Sequence, residues 1–367
     1  MQLAIVGLGG SGKTTVFNTL TRGHARTGGF GGLTVNVGTV KVPDERLTRL
    51  TAAFHPKKEV PADVTYVDLP APTAAGEGID PTTDMPPEQL ARLRNADALL
   101  HVVRAFDDPQ VPHPSASVDP WRDLETLELE FVLADLGLVE RRLERLRTSG
   151  RHGNPAERES NEREALVLER LVPSLRAGEP VRDVELSDDE AKVIRGYRLL
   201  TEKPVLVLLN IGEGELAGAE AMTAEFADRY AHRSTRVLAL SARIEMELGE
   251  LEPEEAEVFR SDLGLTESGL ERVIRTSYGL LGLLSFFTAG PDETRAWTVS
   301  EGATAVDAAA AIHTDLARGF IRAEVIPWDE LLVLGSTTEA RRQGKLRSEG
   351  KTYRVRDGDV VEILFNV

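Results

Sequence analysis

Cysteine is absent from the 367 residues, which excludes disulfides, thiol catalysis and cysteine-ligated metals. Long apolar runs are missing as well. The longest, GLLGLLSFF from Gly279 to Phe287, is far too short to cross a bilayer, so no membrane partner is expected. The first apolar stretch leads straight into a glycine-rich turn, so no secretory signal is expected and a cytoplasmic location follows. Positive charge is in deficit: 43 Lys and Arg stand against 60 Asp and Glu, a formal charge of −17. That balance argues against a chain that coats nucleic acid over its whole surface, and DNA is not expected as a partner. No internal repeat is present, and the one low-complexity piece is the polar run from Arg147 to Glu164. The length predicts two or three domains, in a chain expected to be a monomer.

What the sequence does contain begins with MQLAIVGLGGSGKTTVFNTL. Leu3 to Val6 read as a buried strand and Val16 to Leu20 as the start of a helix, which puts the glycines on a strand-to-helix turn. Gly7, Gly12, Lys13 and Thr14 fit G-x-x-x-x-G-K-[ST], the phosphate-binding P-loop. Glycines let successive amides point inward at an anion, and the helix adds its unpaired N-terminal amides. Gly7, Gly9, Gly10, Ser11, Gly12, Lys13, Thr14 and Thr15 are therefore expected to bind a nucleotide. Lys13 would act catalytically on the β- and γ-phosphates, and the Thr14 hydroxyl would ligate Mg²⁺.

Four further runs, Val64 to Leu69, Ala98 to Phe106, Pro204 to Asn210 and Arg236 to Ala242, look like buried parallel strands with polar residues at their C-terminal ends, where ligands bind in open α/β sheets. Between the second and third of these, Asp119 is a candidate N-cap with Pro120 after it, and Leu129 to Leu146 carry apolar residues at spacings of three and four. The polar run then turns the chain, Ala165 starts a returning helix, and Ser187 with Glu190 forms a capping box, so an antiparallel helical arm is expected. A third unit begins near 283, with strands at Thr294 to Val299 and Tyr353 to Val367 and a helix at Ala305 to Gly319. His313, with no paired partner, is expected to be structural or capping. The divisions are 1–118 and 203–280 for the nucleotide-binding domain, 119–202 for the arm and 281–367 for the last domain.

Asp68 ends its strand where P-loop NTPases carry an acid that holds Mg²⁺ through water. Ala71 stands at the place of the usual following glycine, and Pro72 where Ras-like enzymes have the water-orienting glutamine, which predicts slow hydrolysis. NIGE, Asn210 to Glu213, occupies the position of N-K-x-D. Ile211 replaces the lysine that covers guanine and Glu213 the aspartate that recognises it, so guanine specificity should be weakened or lost. Ser241 and Ala242 resemble the loop whose backbone closes over the base.

At this point nearly the whole chain resembles the Obg-like (YchF-type) ATPases among the translation-factor-related P-loop GTPases. The resemblance rests on NVGTVKVPDERL (36–47), LTEKPVLVLLNIGE (200–213), SARIEMELGEL (241–251), LLSFFTAGPDETRAWTV (283–299), IHTDLARGFIRAEV (312–325) and the ending GKTYRVRDGDVVEILFNV. It implies an α/β fold: a P-loop NTPase G domain with an inserted antiparallel helical arm and a C-terminal β-grasp, TGS-like domain. It also implies ATP preference over GTP, slow hydrolysis, and ribosome or RNA as partner. Gly10 replaces an asparagine that related GTPases use for potassium. Gly32 falls at the usual Mg²⁺-contacting threonine, leaving Thr34 as an offset substitute. The run Arg341 to Arg356 holds seven cations against the single acid Glu349. A solvated edge would explain it, but Arg341, Arg342, Lys345 and Arg347 are the best candidates for RNA contact.

Two function classes stay open, a slow ATPase acting near the ribosome and a nucleotide-gated binding module with little or no hydrolysis. A small-molecule P-loop kinase fits the P-loop alone, and gives NIGE and the C-terminal tail no role.

Overall fold

The computed structural model describes residues 1–23, 35–69, 85–149 and 154–366. Gly32, Thr34, Ala71 and Pro72 lie outside them. Among the described residues twelve strands follow in chain order: β1 (Gln2–Val6), β2 (Asn36–Lys41), β3 (Lys58–Val60), β4 (Asp63–Asp68), β5 (Ala98–Ala105), β6 (Val205–Ile211), β7 (Thr235–Leu240), β8 (Leu283–Ala289), β9 (Glu293–Ser300), β10 (Phe320–Pro327), β11 (Arg347–Glu349) and β12 (Asp359–Phe365). The chain divides into two compact units, Met1–Gly38 with Thr65–Leu270, and Thr39–Val64 with Glu271–Val367.

In the first unit the sheet order is β2-β4-β1-β5-β6-β7. β1 runs parallel to β4 and β5, β5 to β6 and β6 to β7. Continuous apolar runs suit such doubly covered strands, and every residue of β6 is buried. The chain goes from β1 to one side for β4 and to the other for β5, so the strand order reverses beside β1 and opens a crevice at its C-terminal end. That end carries the glycine-rich turn.

The arm stays with this first unit as helices Pro120–Ser149 and Pro155–Arg176. Val139, Leu143, Leu146, Leu168, Leu171 and Leu175 are buried along their seam. The returning helix starts ten residues before the expected Ala165, because Asn154 and Glu157 form a capping box with Pro155 at the first helical position. The second capping box, Ser187 with Glu190, is present as expected.

The second unit is built on a mixed sheet of order β11-β10-β12-β8-β9-β3. β8 and β9 form an antiparallel hairpin, β12 runs parallel to β8, and β10 is antiparallel to β12 and β11. Helix Ala305–Ile312 buries Ala305, Ala308 and Ala309 in this unit's core. His313 ends that helix and caps the next, its Nδ1 accepting from the Asp315 amide at 3.2 Å. Thr39–Val64, within the 1–118 stretch that the sequence assigns to the nucleotide-binding domain, instead packs with the C-terminal residues. The cause is pairing that sequence periodicity does not reveal: β3 lies parallel to β9, and Arg46 bridges Asp44 and Asp357.

Candidate functional site

Two glycines make the turn after β1 possible. Gly7 has φ +150° and Gly12 φ +90°, and a Cβ would overlap the Val102 carbonyl at the first and the Asn210 side-chain amide at the second. Gly12 starts helix Lys13–Thr21, whose N-terminus has no side-chain cap among the described residues, so its first amides remain for an anion. Gly9, Gly10, Ser11 and Thr15 fall on the same turn and first helical turn.

Lys13 is buried, and its Nζ donates to the Gly7 and Leu8 carbonyls, each at 2.8 Å. Burial lowers its pKa to about 8, against the pull of the Asp68 charge. The Thr14 hydroxyl donates to Asp68 Oδ2 at 3.1 Å, so the expected pair meets although 54 residues separate it. Burial raises the Asp68 pKa, while the bonds from Thr14 and Asn36 and the charge of Lys13 work against that rise.

Asn210, buried at the end of β6, joins two loops. Its Nδ2 donates to the Ser11 carbonyl at 3.0 Å and its Oδ1 accepts from the Ala242 amide at 3.1 Å. Ser241 in turn caps helix Ala242–Gly249. Glu213 is exposed just beyond β6. Ile211, counted among the nucleotide-binding residues for its place at the guanine-covering lysine, is instead buried in the unit's hydrophobic core.

Two contributors escaped the sequence reading. Asn36, the first residue of β2, donates to Asp68 Oδ2 at 3.3 Å. Arg104, buried near the end of β5, donates to the carbonyls of Phe106 (3.1 Å), Asp108 (3.3 Å) and Val111 (2.8 Å). It thereby holds the segment that follows β5 beside Gly10, where a Cβ would come within 3.2 Å of Val111. A charged residue inside the buried run ALLHVVRAF was the available signal for Arg104.

The donor set fits magnesium. This ion is held by one or two protein oxygens together with substrate phosphates. Thr14 Oγ1 and Asp68 are adjacent, and Asp68 Oδ1 is buried with no partner among the described residues. Thr34, the offset substitute, lies outside those residues.

The family model for 50S ribosome-binding GTPases matches residues 2–134, and the model YchF-GTPase_C, described as a protein of unknown function (DUF933), matches 283–366. A Bacillus subtilis protein named ribosome-binding ATPase YchF is 39% identical over 378 residues, covering 100% of both chains. The chain belongs to the YchF family. A Haemophilus ducreyi YchF of the same name is 40% identical over 375 residues, covering 100% of this chain and 99% of its own. The solved structure of the Schizosaccharomyces pombe YchF GTPase superposes with a TM-score of 0.85 at 30% identity, covering 99% of this chain and 97% of that one.

In this YchF-family chain the candidate RNA cations differ in their freedom. Arg341 pairs with Glu324 at 2.6 Å and Glu362 at 3.1 Å, and Arg342 pairs with Glu339 at 2.7 Å. Arg347 reaches Asp359 at 3.5 Å and Glu349 at 3.6 Å. Lys345 is exposed and forms no ion pair among the described residues.

Proposed function

We propose that this chain binds Mg²⁺-ATP in preference to GTP, hydrolyses it slowly, and acts on the ribosome or RNA in the cytoplasm as a monomer. The observation that carries this reading is the convergence of Thr14, Asp68 and Lys13 at the end of β1, with Asn210 joining the P-loop to the 241–242 loop. The relatives' printed name, ribosome-binding ATPase, supports the ribosomal partner.

The P-loop amides and Lys13 would bind the phosphates, with Lys13 giving up its two carbonyl partners to do so. Thr14 and Asp68 would hold Mg²⁺, which when bound neutralises charge on the phosphates. Glu213 and Ile211 leave no aspartate or lysine for guanine, so adenine is favoured by a modest margin, about 1–3 kcal/mol. In the C-terminal unit, resemblance to a TGS domain and the 341–356 cations support contact with RNA.

Ala71 and Pro72, which stand where a glycine and a water-orienting glutamine are usual, favour a second reading in which the nucleotide gates binding and is hardly turned over. Steady-state phosphate release by the purified chain separates the two. The ATPase reading predicts turnover on the order of the intrinsic Ras rate, about 4 × 10⁻⁴ per second, or not far above it. Tight ATP binding with no phosphate release, alone or with ribosomes, would decide for the gated module.

A further inference from the structure

Among the described residues, Asp68 receives its two side-chain hydrogen bonds on one oxygen. Thr14 Oγ1 donates to Oδ2 at 3.1 Å and Asn36 Nδ2 donates to the same atom at 3.3 Å. Oδ1 is buried and has no partner among the described residues. A buried carboxylate oxygen without a donor is costly and therefore uncommon, so this lone pair calls for a ligand that brings its own donor, such as a cation-bound water.

The two donors are not equivalent. Thr14 belongs to the P-loop helix and is itself a candidate ligand, so its hydroxyl leaves Asp68 if it turns to a metal. Asn36 comes from another direction. It opens β2, which lies beside β4 in the sheet, and β4 ends on Asp68. Asn36 and Asp68 thus sit on neighbouring strands, apart from the helix that carries Thr14. Its amide is neutral, so it orients the carboxylate without bringing a charge that would compete with a cation.

We propose that Asn36 is a positioning residue for magnesium: its bond to Oδ2 keeps Asp68 turned so that Oδ1 stays free for the hydrated Mg²⁺ that accompanies a nucleotide at Thr14. The inference rests on the magnesium-nucleotide reading of the site. Asn36 contacts neither phosphate nor metal in this role and acts through Asp68 alone. Its removal should therefore affect binding only where magnesium takes part.

The test measures the affinity of the full chain for a fluorescent ATP analogue across a Mg²⁺ series and again in excess EDTA. Asn36→Leu is close in size and lacks the donor. Asn36→Ala is the alternative should the leucine disturb the strand. Partners of this kind change metal affinity by about 10- to 100-fold. Either folded variant should therefore need about tenfold more Mg²⁺ to reach half of its gain in affinity, with the EDTA value unchanged. An unshifted Mg²⁺ midpoint in both variants overturns the inference, as does equal weakening with and without the ion, which would mark Asn36 as merely structural. A wild-type affinity that ignores Mg²⁺ would instead bring down the magnesium reading itself, and the wild-type curve alone reveals that case.

Discussion

The Asn210 side-chain amide donates to the Ser11 carbonyl at 3.0 Å across 199 residues of sequence. Its other end accepts from the Ala242 amide, so one buried side chain ties the phosphate loop to the loop expected over the base. Nucleotide affinity and stability are therefore linked at this residue. Asn210→Ala leaves a buried carbonyl and a buried amide without partners, at about 1–3 kcal/mol each. The variant should melt at a lower temperature and bind ATP at least tenfold more weakly. Unchanged affinity by titration would mean that the bridge serves folding alone.

Gly12→Ala tests the close approach from the other side. The new methyl would overlap the Asn210 amide in a left-handed backbone position, a strain of about 1–3 kcal/mol before any clash. Helix Lys13–Thr21 should still form, while ATP binding falls below detection. Wild-type affinity in this variant would show that the loop relaxes without consequence.

His101 gives a pH dependence whose direction is fixed. Burial first, then the charges of Lys13 and Arg182, lower its pKa to about 3 from the ordinary 6.5. Between those values the unfolded chain holds a proton that the folded one does not, so this contribution is complete above pH 6.5 and is lost as pH falls toward 3. His101→Leu should therefore gain on the wild type by up to about 1.4 kcal/mol per pH unit below 6.5. Parallel denaturation curves for both proteins from pH 7 to 5 would refute the buried neutral imidazole.

Arg341, Arg342 and Lys345 are the cations to replace in testing RNA contact. Exposed pairs such as Arg341–Glu324 and Arg342–Glu339 contribute little, so phosphate can compete for these guanidinium groups. The triple alanine variant should flatten the salt dependence of RNA binding, which falls with a slope of about −0.7 per contact for single strands. ATP affinity should stay the same. Equal co-sedimentation of variant and wild type with ribosomes across a salt series would leave a solvated edge as the explanation.

Much of this was legible in the sequence, for identifiable reasons. The apolar runs that became β5 and β6 have no other stable place than a doubly covered sheet, and G-x-x-x-x-G-K-T fixes its own turn. Three features were not legible. Thr39–Val64 joins the C-terminal residues through β3 and Arg46, contacts with partners more than two hundred residues away. The arm's second helix begins inside a polar run, where the cap of Asn154 and Glu157 outweighs the lack of apolar periodicity. Asn36 and Arg104 act through single polar contacts to Asp68 and to backbone carbonyls, which leave no periodic trace.

The central claim, that Mg²⁺-ATP occupies the P-loop and is preferred over GTP, is tested most directly by isothermal titration of the full chain with each nucleotide in Mg²⁺, repeated on Lys13→Ala. ATP should bind once per chain and more tightly than GTP. The variant should keep its circular dichroism spectrum and lose most of its affinity, because the P-loop amides alone replace neither the charge nor the reach of Lys13. GTP binding ten times tighter than ATP, or a folded Lys13→Ala variant that binds ATP as well as the wild type, would contradict the assignment.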